Sequence, residues 1–508
     1  MKEFLLARKR YLYCLLMLCL TLWGQAHAQQ RSVTGTVTDG PSKDPLPGVS
    51  VLVQGSSVGT ITDANGSYTI SVSSDDAVLV FTFVGYAKSE IRVGSQSTID
   101  VPLTADITSL QEIVVVGYGE QKKSVVTGSI TSVKASDLEN MPITRVEQAL
   151  QGRTSGLTIA ASSGQPGSSS TVRIRGTTSL NFSDPLYVVD GVPIDVGGID
   201  YLNQNDIESI EVLKDAASAA IYGTRAANGV ILITTKKGKA GSLQVNYSGY
   251  YGTQAPARKI QLLNATQYAT LRNEASVADG KGIVFENPSS LGKGTDWQKL
   301  IFNNNAKIQN HDLSISGGSE KSTYYASFGY LNQEGIVATD ISKYERLNVR
   351  FNSSHKVTKW FRFGNNIGYS HINNKGIGNT NNEFGGILSS AVNLDPITPA
   401  VVTDPAVAAD VPYSNHQYAV RDANGNPYGI SSIVMQEMSN PLAYIKTHLG
   451  NHGFSDNIVG NAYVEVEPLK GLIVKSNIGA KLAYWGSESF TPLAYFNSVS
   501  QNSTNSFY

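Results

Sequence analysis

From residue 241 onward, apolar side chains recur at every second position. Leu243-Gln-Val-Asn-Tyr247, Asp312-Leu-Ser-Ile-Ser316, Thr323 to Tyr330, Arg346-Leu-Asn-Val-Arg-Phe351 and Trp360 to Tyr369 all alternate. The pattern is clearest in Asn457 to Glu467 and Leu472 to Tyr484. A strand sends successive side chains to opposite faces, so this period predicts strands with one apolar and one polar side. The connections alternate too. Gly318–Lys321, His355–Lys359 and Pro468–Gly471 are tight, whereas Asn332 to Ser342 and the Asn/Gly-rich stretches at 253–306 and 373–451 are long. Tight turns on one side and long polar loops on the other are the pattern of an outer-membrane barrel. No apolar stretch after the leader reaches helix-spanning length, so any span must be a strand in a closed sheet. About seven strands can be counted, against about 22 in plugged barrels. The expectation is therefore the front part of a longer protein.

Shorter alternating runs fill residues 30–104: Val33–Val37, Val49–Val53, Thr60–Asp63, Tyr68–Ile70 and Val78–Val84. Pro45-Leu-Pro-Gly48 is a turn, and Asp63-Ala-Asn-Gly66 reads as a hairpin signal. Several short strands at this spacing predict a β-sandwich. Asp63 and Asn65 are residue types that also bind cations, but a turn needs them anyway, and the turn is the better account. Through PLPGVSVLV and the pattern Gly59 to Tyr68, the segment resembles the carboxypeptidase-regulatory-like domain. That resemblance implies a seven-stranded accessory sandwich and brings no peptidase with it.

Residues 124–240 read as mixed α/β. Ser124 to Val133 alternates, and Thr144 is placed to cap a helix Arg145 to Arg153, with Glu147 completing a capping box. Strands are expected at Leu157–Ala160, Ser170–Arg175, Leu186–Asp190, Val192–Ile194, Asp206–Leu213 and Gly229–Thr235, with a short helix at Ala216 to Tyr222. Arg173 and Arg175 would share one face of their strand, where Asp190, Glu208, Glu211 and Asp215 could pair with them or with the barrel wall.

Between these regions stands Gln111 to Gly119, QEIVVVGYG. Its β-branched core wants to be a strand, and its flanks are polar without a helical period. On spacing alone a buried strand of a neighbouring domain is the commoner explanation. The flanks favour instead a linker strand whose N–H and C=O groups another protein's sheet can capture.

Bulk properties agree with a β-rich exported protein. Residues 1–28 combine a basic start (Lys2, Arg8, Lys9, Arg10), an apolar run from Tyr11 to Trp23 and a small-x-small site at Ala26-His-Ala28, which predicts cleavage before Gln29. Both cysteines, Cys14 and Cys19, lie in this leader, so disulfides and thiolate metal sites are not expected. Charged residues make up 16%, with 48 Gly and 25 Tyr, a composition that favours strands and turns. The net charge of -1 supplies no global field for nucleic acid. His448 and His452 have ligand-like spacing, but Gly450 and Asn451 between them argue against the helix that would align the rings. No Walker pattern, no nucleophile elbow and no catalytic constellation is present, and nothing calls for a cofactor.

TVRIRG (171–176), PLYVVDGVPI (185–194), DIESIEVLKDAASAAIYGTRAANGVILITTKKG (206–238) and EIVVVGYG together resemble the SusC/RagA family of TonB-dependent outer-membrane transporters. The resemblance implies a mainly β protein: an N-terminal β-sandwich at 29–104, a linker at 105–123, an α/β plug domain at 124–240 and, at 241–508, the first strands of an outer-membrane antiparallel barrel. It implies a TonB box at Glu112, Ile113, Val114, Val115, Val116 and Gly117. It places plug motif residues at Arg173, Arg175, Gly176, Asp190, Gly191, Tyr222, Gly223, Arg225 and Gly229. Partners implied are TonB, a SusD-like surface lipoprotein, outer-membrane lipid and an oligosaccharide or peptide cargo. The alternative is a surface receptor or signal transducer that does not transport.

Overall fold

The computed structural model describes residues 31–508 apart from 41, 57, 84–85, 105–112, 117–118, 123–129, 139–140, 142, 181, 195–197, 216–218, 379–385 and 435–437. For 113–116 and 119–122 only the backbone is described. The leader and the expected cleavage point lie outside the described residues. The chain forms two compact units.

The first unit is a sandwich of seven strands: β1 (Arg31–Asp39), β2 (Ser50–Val53), β3 (Gly59–Ile61), β4 (Ser67–Val72), β5 (Val78–Thr82), β6 (Ser89–Arg92) and β7 (Val101–Leu103). They pair as two sheets, β4-β1-β7 and β3-β2-β5-β6. Alternation puts Val33, Val37, Val51, Ile70, Leu79, Phe81 and Leu103 into one shared core. Asp63 serves its turn as expected, accepting from the amides of Asn65 and Ser67 at 2.9 and 2.8 Å. The turn does not close a hairpin, however. It carries the chain from β3 in one sheet to β4 in the other.

The second unit begins with a mixed sheet inside a larger one. β8 (Ile113–Val116) pairs with β9 (Gly119–Lys122) as a separate two-stranded sheet. Then β10 (Ile130–Lys134), β15 (Ile207–Leu213), β16 (Val230–Thr235), β13 (Leu186–Val189) and β14 (Val192–Ile194) lie side by side in that order. β11 (Leu157–Ala161) and β12 (Ser170–Ile174) form their own hairpin. Being covered on both faces, β13 and β16 are apolar throughout rather than alternating, with Leu186–Val189 and Val230–Ile233 all buried. Asp190 (φ 49°) and Gly191 (φ 83°) make the two-residue turn between β13 and β14. Positive φ at both positions is what an Asp-Gly turn of this kind requires.

The expected helix after Thr144 is shorter and differently capped. It is a single 3₁₀ segment, Val146–Leu150, and no side chain caps it. Glu147, rather than reaching back to a cap, pairs with Arg145 at 3.1 Å, both buried. A charge partner two residues away has outcompeted the capping box.

Seven long strands complete the unit: β17 (Gly241–Gln254), β18 (Ala306–Gly318), β19 (Ser322–Glu334), β20 (Lys343–Lys356), β21 (Phe361–Lys375), β22 (His452–Leu469) and β23 (Leu472–Glu488). All pair antiparallel with their sequence neighbours. One face is apolar and exposed, carrying Leu313, Ile315, Phe328, Val349, Phe351, Ile367, Ile458, Ile478 and Leu482. The other is polar and buried, carrying Asn310, Asp312, Asn348, Arg350, Asn352, Asn366 and Asn461. This is the inverse of a soluble sheet and fits a wall between lipid and a wet lumen.

The long connections are less irregular than their Asn/Gly content predicts. Ala265–Ala278 is a helix whose Asn264 and Gln267 form a full capping box. Trp297 and Ile301 from the first long connection, Ala338 and Ile341 from the second and Ile387, Ala391, Leu394 and Met438 from the third pack into one apolar cluster. The Trp297 indole donates to the Asp395 carbonyl at 2.9 Å.

Candidate functional site

Strand alternation on β20 sends Arg346, Asn348, Arg350 and Asn352 to the buried side of the sheet while Leu347, Val349 and Phe351 face the other way. Those four polar side chains meet the small mixed sheet. Arg346 donates to the carbonyls of Thr144 and Asp200 at 3.1 and 2.9 Å. Asn348 donates to the Tyr201 carbonyl at 2.6 Å, and Asn352 to the Lys236 carbonyl at 2.6 Å. Arg350 stands between two carboxylates, 3.6 Å from Asp190 and 3.5 Å from Asp206, with all three side chains buried.

Both carboxylates are further satisfied. Asp190 accepts from the Thr235 amide at 2.9 Å and its hydroxyl at 2.8 Å. Asp206 accepts from the Tyr325 hydroxyl at 2.9 Å, and from Ser327 on the same strand of the wall. A buried ion pair offsets its desolvation only when the remaining lone pairs are bonded in this way. At the far end of the wall, Asn461 donates to the Asp190 carbonyl at 2.8 Å and Lys481 to the Gly198 carbonyl at 3.0 Å. On β18, Asp312 accepts from Asn203, Asn205 and its neighbour Asn310.

The seam is thus mainly polar, although Val459 of β22 joins the apolar cluster of the mixed sheet, whose interior holds Val133, Leu150, Tyr187, Ile194, Ile207, Ile210, Val212 and Ile233. Hydrogen bonds across a seam exchange for water at little net cost, about 0.5–1.5 kcal/mol each. Apolar burial has no such substitute.

The expected pairing of the two arginines is partly different. Arg173 pairs with Asp184, a partner that the strand pattern gave no reason to single out. Arg175 pairs with Asp215 at 2.6 Å. The two do not share a strand face, because Arg175 follows β12 at φ 56° and leaves the strand direction. Glu208 lies 3.8 Å from Lys239. Of the four expected carboxylates, Asp190 is the one paired with an arginine of the wall. Asp206 and Arg350 were not anticipated as site residues. Alternation alone marks Arg350 as facing inward, but its meeting with Asp206 depends on tertiary packing.

Among the described residues Glu211 has no ion-pair partner. It is 2% exposed on β15 opposite Ser132, and burial pushes its carboxyl up to about 7 despite hydrogen bonding to Ser209 and Ser132. Of the remaining expected positions, Tyr222 is buried in a cluster with Leu186, Val188 and Leu232. Gly223 (φ 65°) breaks the 3₁₀ segment Ala220–Ala226, and Arg225 is exposed in its last turn. Gly176 (φ 96°) turns the chain after Arg175. Gly229 (φ 87°) lies where a Cβ would come within 2.8 Å of Ile174 and 3.1 Å of the Leu213 carbonyl. Val114 and Val115 lie in β8, flanked by Ile113 and Val116, with one edge of that strand paired to β9. Glu112 and Gly117 lie outside the described residues.

The comparisons with known proteins agree with this architecture. Residues 122–230 match the TonB-dependent Receptor Plug Domain, and residues 33–115 match the CarboxypepD_reg-like domain. A TonB-dependent receptor of Formosa agariphila is 38% identical over 89% of this chain and 43% of its own length. The TonB-dependent receptor SusC of Bacteroides thetaiotaomicron is 34% identical over 90% of this chain and 45% of its own length. The RagAB peptide importer in its open-open state superposes with a TM-score of 0.61 at 27% identity, over 76% of this chain and 44% of that one. The chain thus spans under half the length of the relatives it matches. By its domain matches and its identity to these relatives, it belongs to the SusC/RagA type of TonB-dependent receptors, proteins of the outer membrane.

Proposed function

We propose that this chain belongs to an energy-coupled importer of oligomeric nutrients, glycans or peptides, in which TonB draws on residues Glu112–Gly117 and the plug shifts within the barrel. The observation that carries the reading is the contrast between an apolar plug interior and a polar seam with the wall. A body of that kind can be moved without being unfolded. The linker strand supplies the handle: β8 is a short β-branched strand with one edge paired to β9, so a second protein's strand can add to the other edge. A SusD-like lipoprotein as extracellular lid rests on the SusC/RagA resemblance, and so does the cargo class.

The test is uptake by cells carrying the intact receptor or a version lacking residues 112–117. A panel of labelled oligosaccharides and oligopeptides would be supplied to both. Uptake of the imported member should fall to background in the deletion, with surface binding and the amount of inserted receptor unchanged. Equal uptake in both strains would defeat the proposal. Binding without uptake in either strain would favour a surface receptor.

A further inference from the structure

The plug does not grip the wall evenly. Along β20, β22 and β23 it is held by Arg346, Asn348, Arg350, Asn352, Asn461 and Lys481. Along β17 and the Leu313–Gly318 end of β18 the contacts thin out, Asp312 being the β18 residue that bonds the plug. Gln244, Asn246, Ser248 and Ser316 turn towards the plug, yet among the described residues none has a hydrogen bond to it. Between these residues and Glu208, Lys237 and Lys239 of the plug lies a cavity of about 400 Å³. Its rim is closed by two sets of contacts, Asp206 with Tyr325 and Ser327 and Asp312 with Asn203 and Asn205.

We propose that cargo crosses the barrel through this cavity, between plug residues Lys236–Lys239 and strands β17–β18, with the plug turning about its bonded arc on β20–β23. The reasoning is one of bond counts. Among the described residues, opening the bonded arc breaks two ion pairs and at least six hydrogen bonds, whereas opening the β17–β18 side breaks the four rim hydrogen bonds. The lining carries amides, hydroxyls, three ammonium groups and the carboxylates of Asp206, Glu208 and Asp312, with Leu313 and two tyrosine rings among them. Such a surface exchanges hydrogen bonds with a hydroxyl- or amide-rich oligomer as readily as with water.

The proposal rests on the importer reading, and one experiment separates the two. Residues 29–508 contain no cysteine, so a thiol introduced there is unique among them. Ser316→Cys places one on the open arc. Ser370→Cys, a near-isosteric change at a buried position of β21 across from Asn348, places one within the bonded arc. A membrane-impermeant maleimide added outside intact cells is the probe, in strains with and without TonB, with inserted receptor quantified in each. The expected result is labelling of Ser316→Cys that rises several-fold when TonB is present, with Ser370→Cys unchanged. A TonB-dependent rise at Ser370→Cys alone would leave coupling standing and overturn this route. No TonB-dependent change at either thiol would remove the coupling itself, and the route with it.

Discussion

The plug and its seam with the wall are made of different materials, although the same strands supply both. β15 and β16 bury Ile207, Ile210, Val212, Ile231 and Ile233 in the plug interior, while Asp206 and Thr235 at their ends meet Arg350 and Asn352. Apolar burial is proportional to area and is lost only by unfolding. A hydrogen-bonded seam can trade each contact for water. Cohesion of the plug and its attachment to the wall are therefore assigned to different residues of one small domain. The wall repeats the division across its thickness, with Val349 and Phe351 outward and Arg350 and Asn352 inward on adjacent positions.

Substitutions can break this contrast on either side. The largest effect is expected from Arg350→Ala, which leaves Asp190 and Asp206 buried beside the wall without their cation. Removing one partner of a buried pair costs about 3–5 kcal/mol. The loss should appear as plug release from the wall, read by protease access to the plug in the inserted receptor, with the plug's own fold retained. Ile210→Ala, at a position with no exposure, should cost about 2–5 kcal/mol and act the other way, by destabilising the plug itself. Should both variants give the same protease fragments, the distinction between interior and seam is unsound.

On the lipid side, Ile478 lies opposite Ala462 on the exposed face. Ile478→Arg should cost about 2–4 kcal/mol if mid-membrane, measured as reduced insertion with the plug unaffected. Asn352→Ala removes two seam bonds, to the Lys236 carbonyl and the Thr235 hydroxyl, worth about 1 kcal/mol each, and should sharpen the contrast by loosening docking slightly without touching insertion.

Glu211 gives a pH test whose sign is fixed. Its folded value is raised to about 7 by burial, so the folded plug disfavours the carboxylate. Its contribution is most favourable below the unfolded value near 4.3 and is lost as pH rises towards about 7. Glu211→Gln should flatten that slope in plug stability, with wild type and variant converging at low pH. A wild-type plug whose stability rises across that window would contradict the burial argument.

Sequence period disclosed the wall well because lipid and lumen impose opposite chemistry on adjacent residues, as Leu347 to Asn352 illustrate. It disclosed the first five sandwich strands, but not Ser89–Arg92 or Val101–Leu103, nor that Asp63–Gly66 crosses between sheets, since a turn's residue types do not reveal which strands it joins. The Thr144 cap failed because Glu147 found Arg145 instead. The candidate site was half legible. Asp190 stands in a readable Asp-Gly turn, but Arg350 and Asp206 are 144 residues apart in sequence, and only the folded plug brings them together. The long connections looked irregular because their apolar residues are sparse in each, and Trp297, Ile341 and Leu394 form a core only when three connections meet.

The central claim is that force enters at β8 and reaches the plug without disturbing how the protein is built. Proline has no N–H and a fixed φ, so Val115→Pro removes one ladder donor from that strand, whereas Val115→Thr keeps the backbone intact. The deciding measurement is transport per inserted receptor molecule for these two variants beside wild type. The account predicts that Val115→Pro inserts normally and transports far less per molecule, with Val115→Thr close to wild type. Reduced insertion with unchanged transport per molecule would mean that β8 is a structural strand, and would contradict the claim.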